Sequence, residues 1–246
     1  MHTSRLSQLA IALATVSTVL FATMPLVSKM GALPSRISFP LFLLGGLLGL
    51  IGLVAALIAL YTTRPAKGRA GRGLAWGALA LSVVVLGGIA VAARSGGSAP
   101  PINDITTDPS DPPQFAALAR EGPNADRDMS YPGEEFASQQ RAAYPDLAPI
   151  SLSQPPDQAF AAVKSAIEGF GWQIVAEDAS AGAIEATDTT KMFRFVDDIA
   201  IRIRPGDAGG SRVDMRSKSR EGRGDLGVNA ARIRRLRDAL GIAPAA

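Results

Sequence analysis

Three uncharged apolar stretches, residues 9–27, 39–61 and 74–93, fill most of the first hundred positions and dictate what that part of the chain can become. Each is close to the roughly 20 residues a helix needs to cross the hydrocarbon core of a bilayer. Soluble core helices seldom run that far without a charge, so residues 1–94 are expected to form an α-helical membrane domain of three transmembrane helices. The first stretch also has features of a signal peptide, with Arg5 ahead of it and small residues near Ala22. Its length and the two later stretches favour an uncleaved helix. No acidic residue, Lys, Arg or His falls inside any stretch, which leaves an ion or proton pathway without a carrier.

The connections give an orientation. Residues 62–73 hold Arg64, Lys67, Arg69 and Arg72, whereas residues 28–37 hold only Lys29 and Arg36. The positive-inside rule places the richer loop and the amino terminus in the cytoplasm, in a cell inner (plasma) membrane, with everything after the third helix on the extracytoplasmic, periplasmic side. In the second stretch Gly45 and Gly49, then Gly52 and Ala56, recur four apart. Such small residues let helices approach closely, either within this hairpin or across an oligomer interface.

The net charge of +3 and isoelectric point near 9.5 conceal a partition. Residues 1–96 carry eight basic residues and no acidic one, and residues 211–246 carry nine against four. Between them, residues 97–146 have three Arg against nine acids and residues 147–210 have five basic against nine acidic residues. The basic character belongs to membrane flanks and one local patch, so no nucleic-acid partner is implied. With no cysteine and a single histidine, His2, the chain lacks thiolate nucleophiles, disulfides, Cys-ligated metals and Ser-His-Asp chemistry. No cofactor and no metal are expected.

Residues 95–146 read as an extended arm rich in Pro, Gly and Asp. Ile102, Ile105, Phe115, Tyr131, Phe136 and Tyr144 are too frequent for a plain spacer, so parts of the arm are expected to pack on the carboxy-terminal domain. That domain, residues 147–246, reads as α+β, an antiparallel sheet of three to five strands flanked by two helices. Residues 155–170 form the first helix, with Ser153 or Gln154 as cap and Phe160, Val163 and Ile167 on one face. Strands come next at 172–176, 183–187, 192–195 with 198–204 (one long or two short), and 211–218. In the third region Ile199, Ile201 and Ile203 alternate with Ala200, Arg202 and Arg204, the period of a half-buried strand. A last helix is expected over residues 226–240.

The run Arg216-Ser-Lys-Ser-Arg-Glu-Gly-Arg-Gly-Asp-Leu-Gly-Val-Asn-Ala-Ala-Arg-Ile233 resembles the signature of the bacterial and plastid domain-of-unknown-function family numbered 1499. Pro101-Ile-Asn-Asp-Ile-Thr-Thr-Asp-Pro109, Tyr144-Pro-Asp and Gly171-Trp172 fit the same pattern, and the likeness covers roughly residues 100–240. The three-span prefix resembles a subset of such proteins. The resemblance implies a fold that includes part of the arm, and it implies no reaction.

In a strand, Arg216, Lys218 and Arg220 share one face. Arg223, the glycines at 222, 224 and 227, and the start of the last helix lie just beyond. Converging cations at a helix amino terminus suit a phosphate or carboxylate, which makes Arg216, Lys218, Arg220, Arg223, Gly224, Asn229 and Arg232 the candidate ligand-binding residues. The ligand would be an anionic lipid, a glycan or a protein partner. A plainer reading has Asp225 cap the helix, Asn229 tether the turn, and the cations pair with Asp197, Asp198 or Asp214. The rivals to a binding domain are a membrane-anchored scaffold working through protein contacts and through Gly45/Gly49, and a hydrolase using Ser217, Ser219 or carboxylates. Residues 222–227 match G-x-G-x-x-G, but no strand follows the helix, so no dinucleotide-binding βαβ unit can form.

Overall fold

The computed structural model describes residues 3–67, 69–95 and 99–242; His2 and residues 96–98 of the arm lie outside them. The chain divides into two units, Met1–Gly96 with Lys191–Arg194, and Gly97–Thr190 with Phe195–Ala246.

The first unit holds α1 (Arg5–Lys29), α2 (Ser35–Thr62) and α3 (Arg72–Ser95), three helices long and apolar enough to cross a membrane. Its packing inverts that of a soluble bundle. Small residues such as Ala10, Ala14, Gly45, Gly49 and Ala56 are buried, while Leu47, Leu50, Val54, Leu57, Val83 and Val84 point outward. Lipid tails solvate large aliphatic side chains as well as another helix does, so the helices meet where backbones come closest. A Cβ on Gly45 would lie 3.0 Å from the Leu20 Cβ, and one on Gly49 would lie 2.8 Å from the Ser17 Oγ and 3.4 Å from the Val85 Cγ1. The Ser17 hydroxyl donates to the Gly45 carbonyl at 2.7 Å. The small-residue stripe of α2 is therefore filled by α1 and α3 of the same chain.

The second unit is built on six antiparallel strands: β1 (Asp104–Thr106), β2 (Ile150–Leu152), β3 (Gln173–Asp178), β4 (Ala183–Thr189), β5 (Val196–Pro205) and β6 (Ser211–Ser219). Their order is β1-β6-β5-β4-β3, and β2 also pairs with β6. β1 covers residues 216–218 of β6 and β2 covers 211–213, so the two short strands follow one another along one side of it. Six strands correct the expected three to five. The two extra ones have three residues each, too few to display a period, and β1 lies in a Pro- and Asp-rich stretch that locally favours turns. The expected strand at 192–195 is also absent: Arg194 takes φ +55° and the chain turns there before β5 begins.

One face of the sheet carries the apolar core. Ile184, Ile199, Ile201, Ile203, Val213 and Met215 pack with Phe160, Val163 and Ile167 of α5 (Pro156–Phe170) and with Ile233 and Leu236 of α6 (Val228–Ala239). Helix α5 follows Pro155 without a side-chain cap from Ser153 or Gln154, and Gly171 ends it at φ +78°. The other face is polar and is covered by the arm, whose Phe115, Leu118 and Met129 pack around Ala200. A further helix, α4 (Glu134–Ala143), supplies Gln140, whose amide exchanges hydrogen bonds with the Thr106 backbone at 2.9 and 2.7 Å.

Candidate functional site

Period-two geometry divides β6 cleanly. Arg216, Lys218 and Arg220 face the arm, while Ser217 and Ser219 face α6. In register, β1 sets Asp104 opposite Lys218 and Thr106 opposite Arg216, so the Asp104 carboxylate sits between two cations. Arg216 donates from Nε to Asp104 Oδ1 and from Nη2 to Asp104 Oδ2, both at 2.8 Å. Lys218 Nζ reaches the same Oδ2 at 2.9 Å. Arg216 and Asp104 are completely buried. The guanidinium also donates to the carbonyls of Met129 (3.0 Å) and Pro113 (3.3 Å), and its centre lies 4.7 Å from the Phe115 ring and 5.6 Å from the Tyr131 ring. Burial, together with the Asp104 charge, pushes the Tyr131 hydroxyl up to about 12, so this phenol stays protonated at any physiological pH.

Arg220 is held in the same way. Its Nε donates to Asp198 Oδ1 at 2.8 Å and its Nη2 donates to Glu121 Oε2 at 2.8 Å. The second Asp198 oxygen accepts from Asn124 Nδ2 at 3.1 Å and lies 3.4 Å from Arg127 Nη1. Further along this face Asp214, fully buried, takes Arg202, Arg204 and Arg212 at 2.7–3.0 Å. Glu185 completes the lattice without a cation. Its carboxylate accepts the backbone N–H groups of Ala116, Ala117 and Leu118 at 2.8–2.9 Å and so pins the arm to β4.

Asn229 and Arg232 lie on the opposite face, on α6. Ser217 Oγ donates to Asn229 Oδ1 at 2.7 Å, Arg232 Nη1 donates to Ser217 Oγ at 3.0 Å, and Asn229 Nδ2 donates to Ser219 Oγ at 3.0 Å. Arg232 also reaches Asp188 (2.9 Å) and Asp197 (2.6 Å). Neither an amide oxygen nor a guanidinium takes a proton from a hydroxyl, and Lys218 projects from the other face, so none of these three groups activates Ser217.

The turn between β6 and α6 carries the remaining candidates. Gly222, at φ +85°, reverses the chain, and its carbonyl accepts from Asn103 Nδ2 at 2.6 Å. Gly224 lies against the Pro101 backbone, where a Cβ would sit at 3.2 Å. The Asp225 carboxylate, three residues ahead of the first residue of α6, accepts the N–H groups of Gly227 and Asn229, each at 2.8 Å. Burial raises its pKa, opposed by those two hydrogen bonds. Arg223 is exposed, as are Leu226 (68%) and Val228 (40%). Leu226 takes φ +54°, a conformation that strains a residue with a Cβ.

The seven sequence-predicted ligand residues therefore do not converge. Arg216, Lys218 and Arg220 lie under the arm, Asn229 and Arg232 under α6, and only Arg223 and Gly224 belong to the exposed turn. Glu121, Arg127 and Glu185, which help organise the polar face, carry no signal in the sequence, and the motif around Asp104 and the apolar spacing that includes Tyr131 do not reveal their partners, which lie up to 114 positions away. Residues 104–240, more than half of the chain, match the model of a family described as "Protein of unknown function (DUF1499)". No curated protein matches the chain.

Proposed function

Since the chain belongs to the DUF1499 family, whose description assigns no activity, we propose a function from its own residues: a membrane-anchored, non-catalytic scaffold whose second unit offers a rigid surface to a protein partner outside the cytoplasm. The observation that supports this most is the commitment of the signature cations. Arg216, Lys218, Arg220 and Arg232 are each bonded to carboxylates of the same unit at 2.6–2.9 Å, an arrangement that fixes the turn at 221–227 rather than leaving charge free for a substrate. The contact edge is that turn. Leu226 is exposed in a strained conformation and has Val228 and Arg223 near it in sequence, and strain kept at an exposed apolar residue is a mark of use rather than of packing. What supports the extracytoplasmic side of an inner membrane is the charge of the loop between α2 and α3, which carries four basic residues.

A second reading, capture of an anionic envelope component, draws its support from Arg223 on the glycine-rich turn. In-membrane photo-crosslinking separates the two. With a photoreactive residue at position 226 of the full chain, the scaffold reading expects a discrete protein adduct that Val228→Asp weakens and Arg223→Glu weakens less. A species that stays monomeric in membranes refutes the scaffold. Loss of a co-purifying anionic mass on Arg223→Glu would establish the second reading in its place.

A further inference from the structure

The connection from β4 to β5 belongs, over Lys191–Arg194, to the first unit. Its sequence is basic, apolar, apolar, basic: Lys191, Met192, Phe193, Arg194. Phe193 is buried, its ring edge-on to Phe39 at 5.1 Å and to Phe42 at 5.3 Å, and its carbonyl accepts the Ser28 hydroxyl at 2.9 Å. Phe42 in turn stacks on Phe21 at 5.2 Å. Ser28 is in the last turn of α1 and Phe39 lies near the start of α2, where the uncharged stretch begins. Lys29 and Arg36 carry the flanking charges at this end of the helical hairpin.

Beside this buried ring Met192 is 59% exposed, and Lys191 and Arg194 are exposed on either side of Phe193 and Met192. Arg194 adopts φ +55°, so the loop tip keeps a conformation that its own residue disfavours. Lys and Arg carry their charge at the end of long apolar stems, and a cation at the level where a transmembrane helix emerges reaches lipid phosphate. A flexible apolar side chain between two such cations matches the layering of the bilayer interface, acyl boundary beneath and phosphates above.

We propose that Lys191–Arg194 is a lipid-anchoring loop: Met192 enters the boundary between headgroups and acyl chains, and Lys191 and Arg194 bind phospholipid phosphates. The occupant is the bilayer around this chain's own helices. Three observations argue for it: the seating of Phe193 on the ends of α1 and α2, the charge complementarity to phosphate, and an exposed methionine where the uncharged stretch of α2 starts.

The chain has no cysteine, so Met192→Cys can be labelled uniquely with an environment-sensitive fluorophore in the full protein. The protein is placed in nanodiscs of phosphatidylcholine with phosphatidylglycerol, and Ser165→Cys on the exposed side of α5 serves as the reference. Because residue 192 is exposed, the substitution leaves packing intact, and unchanged Trp172 emission in a Trp76→Phe background checks that the second unit is undisturbed. A shallow spin-labelled lipid should quench the probe at 192 by about twofold, whereas iodide should quench it several-fold less than the probe at 165. Iodide quenching equal to that at 165 overturns the proposal, since it places the loop in water. Protection from both quenchers also overturns it, since a protein rather than lipid then covers the loop.

Discussion

The Asp104 carboxylate is shared by two buried cations, Arg216 and Lys218, so the substitution Asp104→Asn isolates what its charge contributes to the polar face. It keeps the shape and one carbonyl oxygen but removes the charge that Arg216 and Lys218 share through contacts at 2.8, 2.8 and 2.9 Å. Hydrogen bonds to charged groups contribute about 1.5–3 kcal/mol each, and removing one member of a buried ion pair costs about 3–5 kcal/mol because the partner stays behind uncompensated. Two cations stay behind here, so we expect a loss of about 4 kcal/mol, a large share of the roughly 5–15 kcal/mol that holds an average domain together. Lys218→Met should behave differently. It leaves the two-pronged Arg216–Asp104 pair intact and replaces a mostly buried ammonium by an apolar group of similar length, at a cost below about 1 kcal/mol. The assay is urea unfolding of the full chain in detergent, followed by the emission of Trp172 in a Trp76→Phe background; Trp172 is buried with its ring 5.0 Å from Phe170, inside the second unit. With a denaturant slope of about 2 kcal/mol per molar, Asp104→Asn should lower the midpoint by about 2 M and Lys218→Met by less than about 0.5 M. Adding Lys218→Met to Asp104→Asn should recover part of the loss, since one stranded cation is then gone. An Asp104→Asn shift under about 0.5 M, or equal shifts for the two single variants, would falsify the claim that this carboxylate holds the lattice together.

Two further outcomes test other parts of the second unit. Hydrogen bonds from Arg234 above all, and then from Arg237, hold Asp146 down at about 2 against an ordinary value of 3.8. A carboxyl depressed on folding stabilises above pH 3.8, and that contribution is lost as the pH falls toward 2, so Asp146→Asn should cost about 1 kcal/mol after solvent screening at pH 7 and almost nothing near pH 2, read from thermal unfolding at the two pH values. Gly182 combines φ +63° with a direction in which any side chain would meet backbone: a Cβ would lie 2.1 Å from the Ile203 carbonyl oxygen, while Ile203 N–H donates to the Gly182 carbonyl at 2.7 Å. Gly182→Ala should therefore cost about 3 kcal/mol or more, and a urea midpoint within error of the unsubstituted chain would contradict that geometry.

Reading along the chain recovers what is local and periodic. The three apolar stretches, the Phe160–Val163–Ile167 face and the alternation of Ile199, Ile201 and Ile203 each carry their own signal, because a helix or strand repeats its environment every few residues. β1 and β2 escape because three residues repeat nothing, and because the local preference of Asp- and Pro-rich sequence for turns is overridden by pairing with β6. Residues 192–195 mislead in the opposite direction: an aromatic-rich run imitates a strand, while Arg194 turns the chain.

The same distinction decides how the signature is understood. Alternation correctly places Arg216, Lys218 and Arg220 on one face, and a cationic face taken alone asks for an anion. What answers it is Asp104, Asp198 and Glu121, brought in from elsewhere in the chain by strand register and by the arm. Charge segregation along the sequence, with residues 97–210 acidic and 211–246 basic, is thus the linear trace of pairing within the folded unit. A domain that matched its cations this way and still bound an anion at Arg216 would have to strand Asp104 in a buried site, which the same energetics disfavour. Binding at this signature is for that reason expected at the exposed residues, Arg223, Leu226 and Val228, where nothing buried has to be broken first.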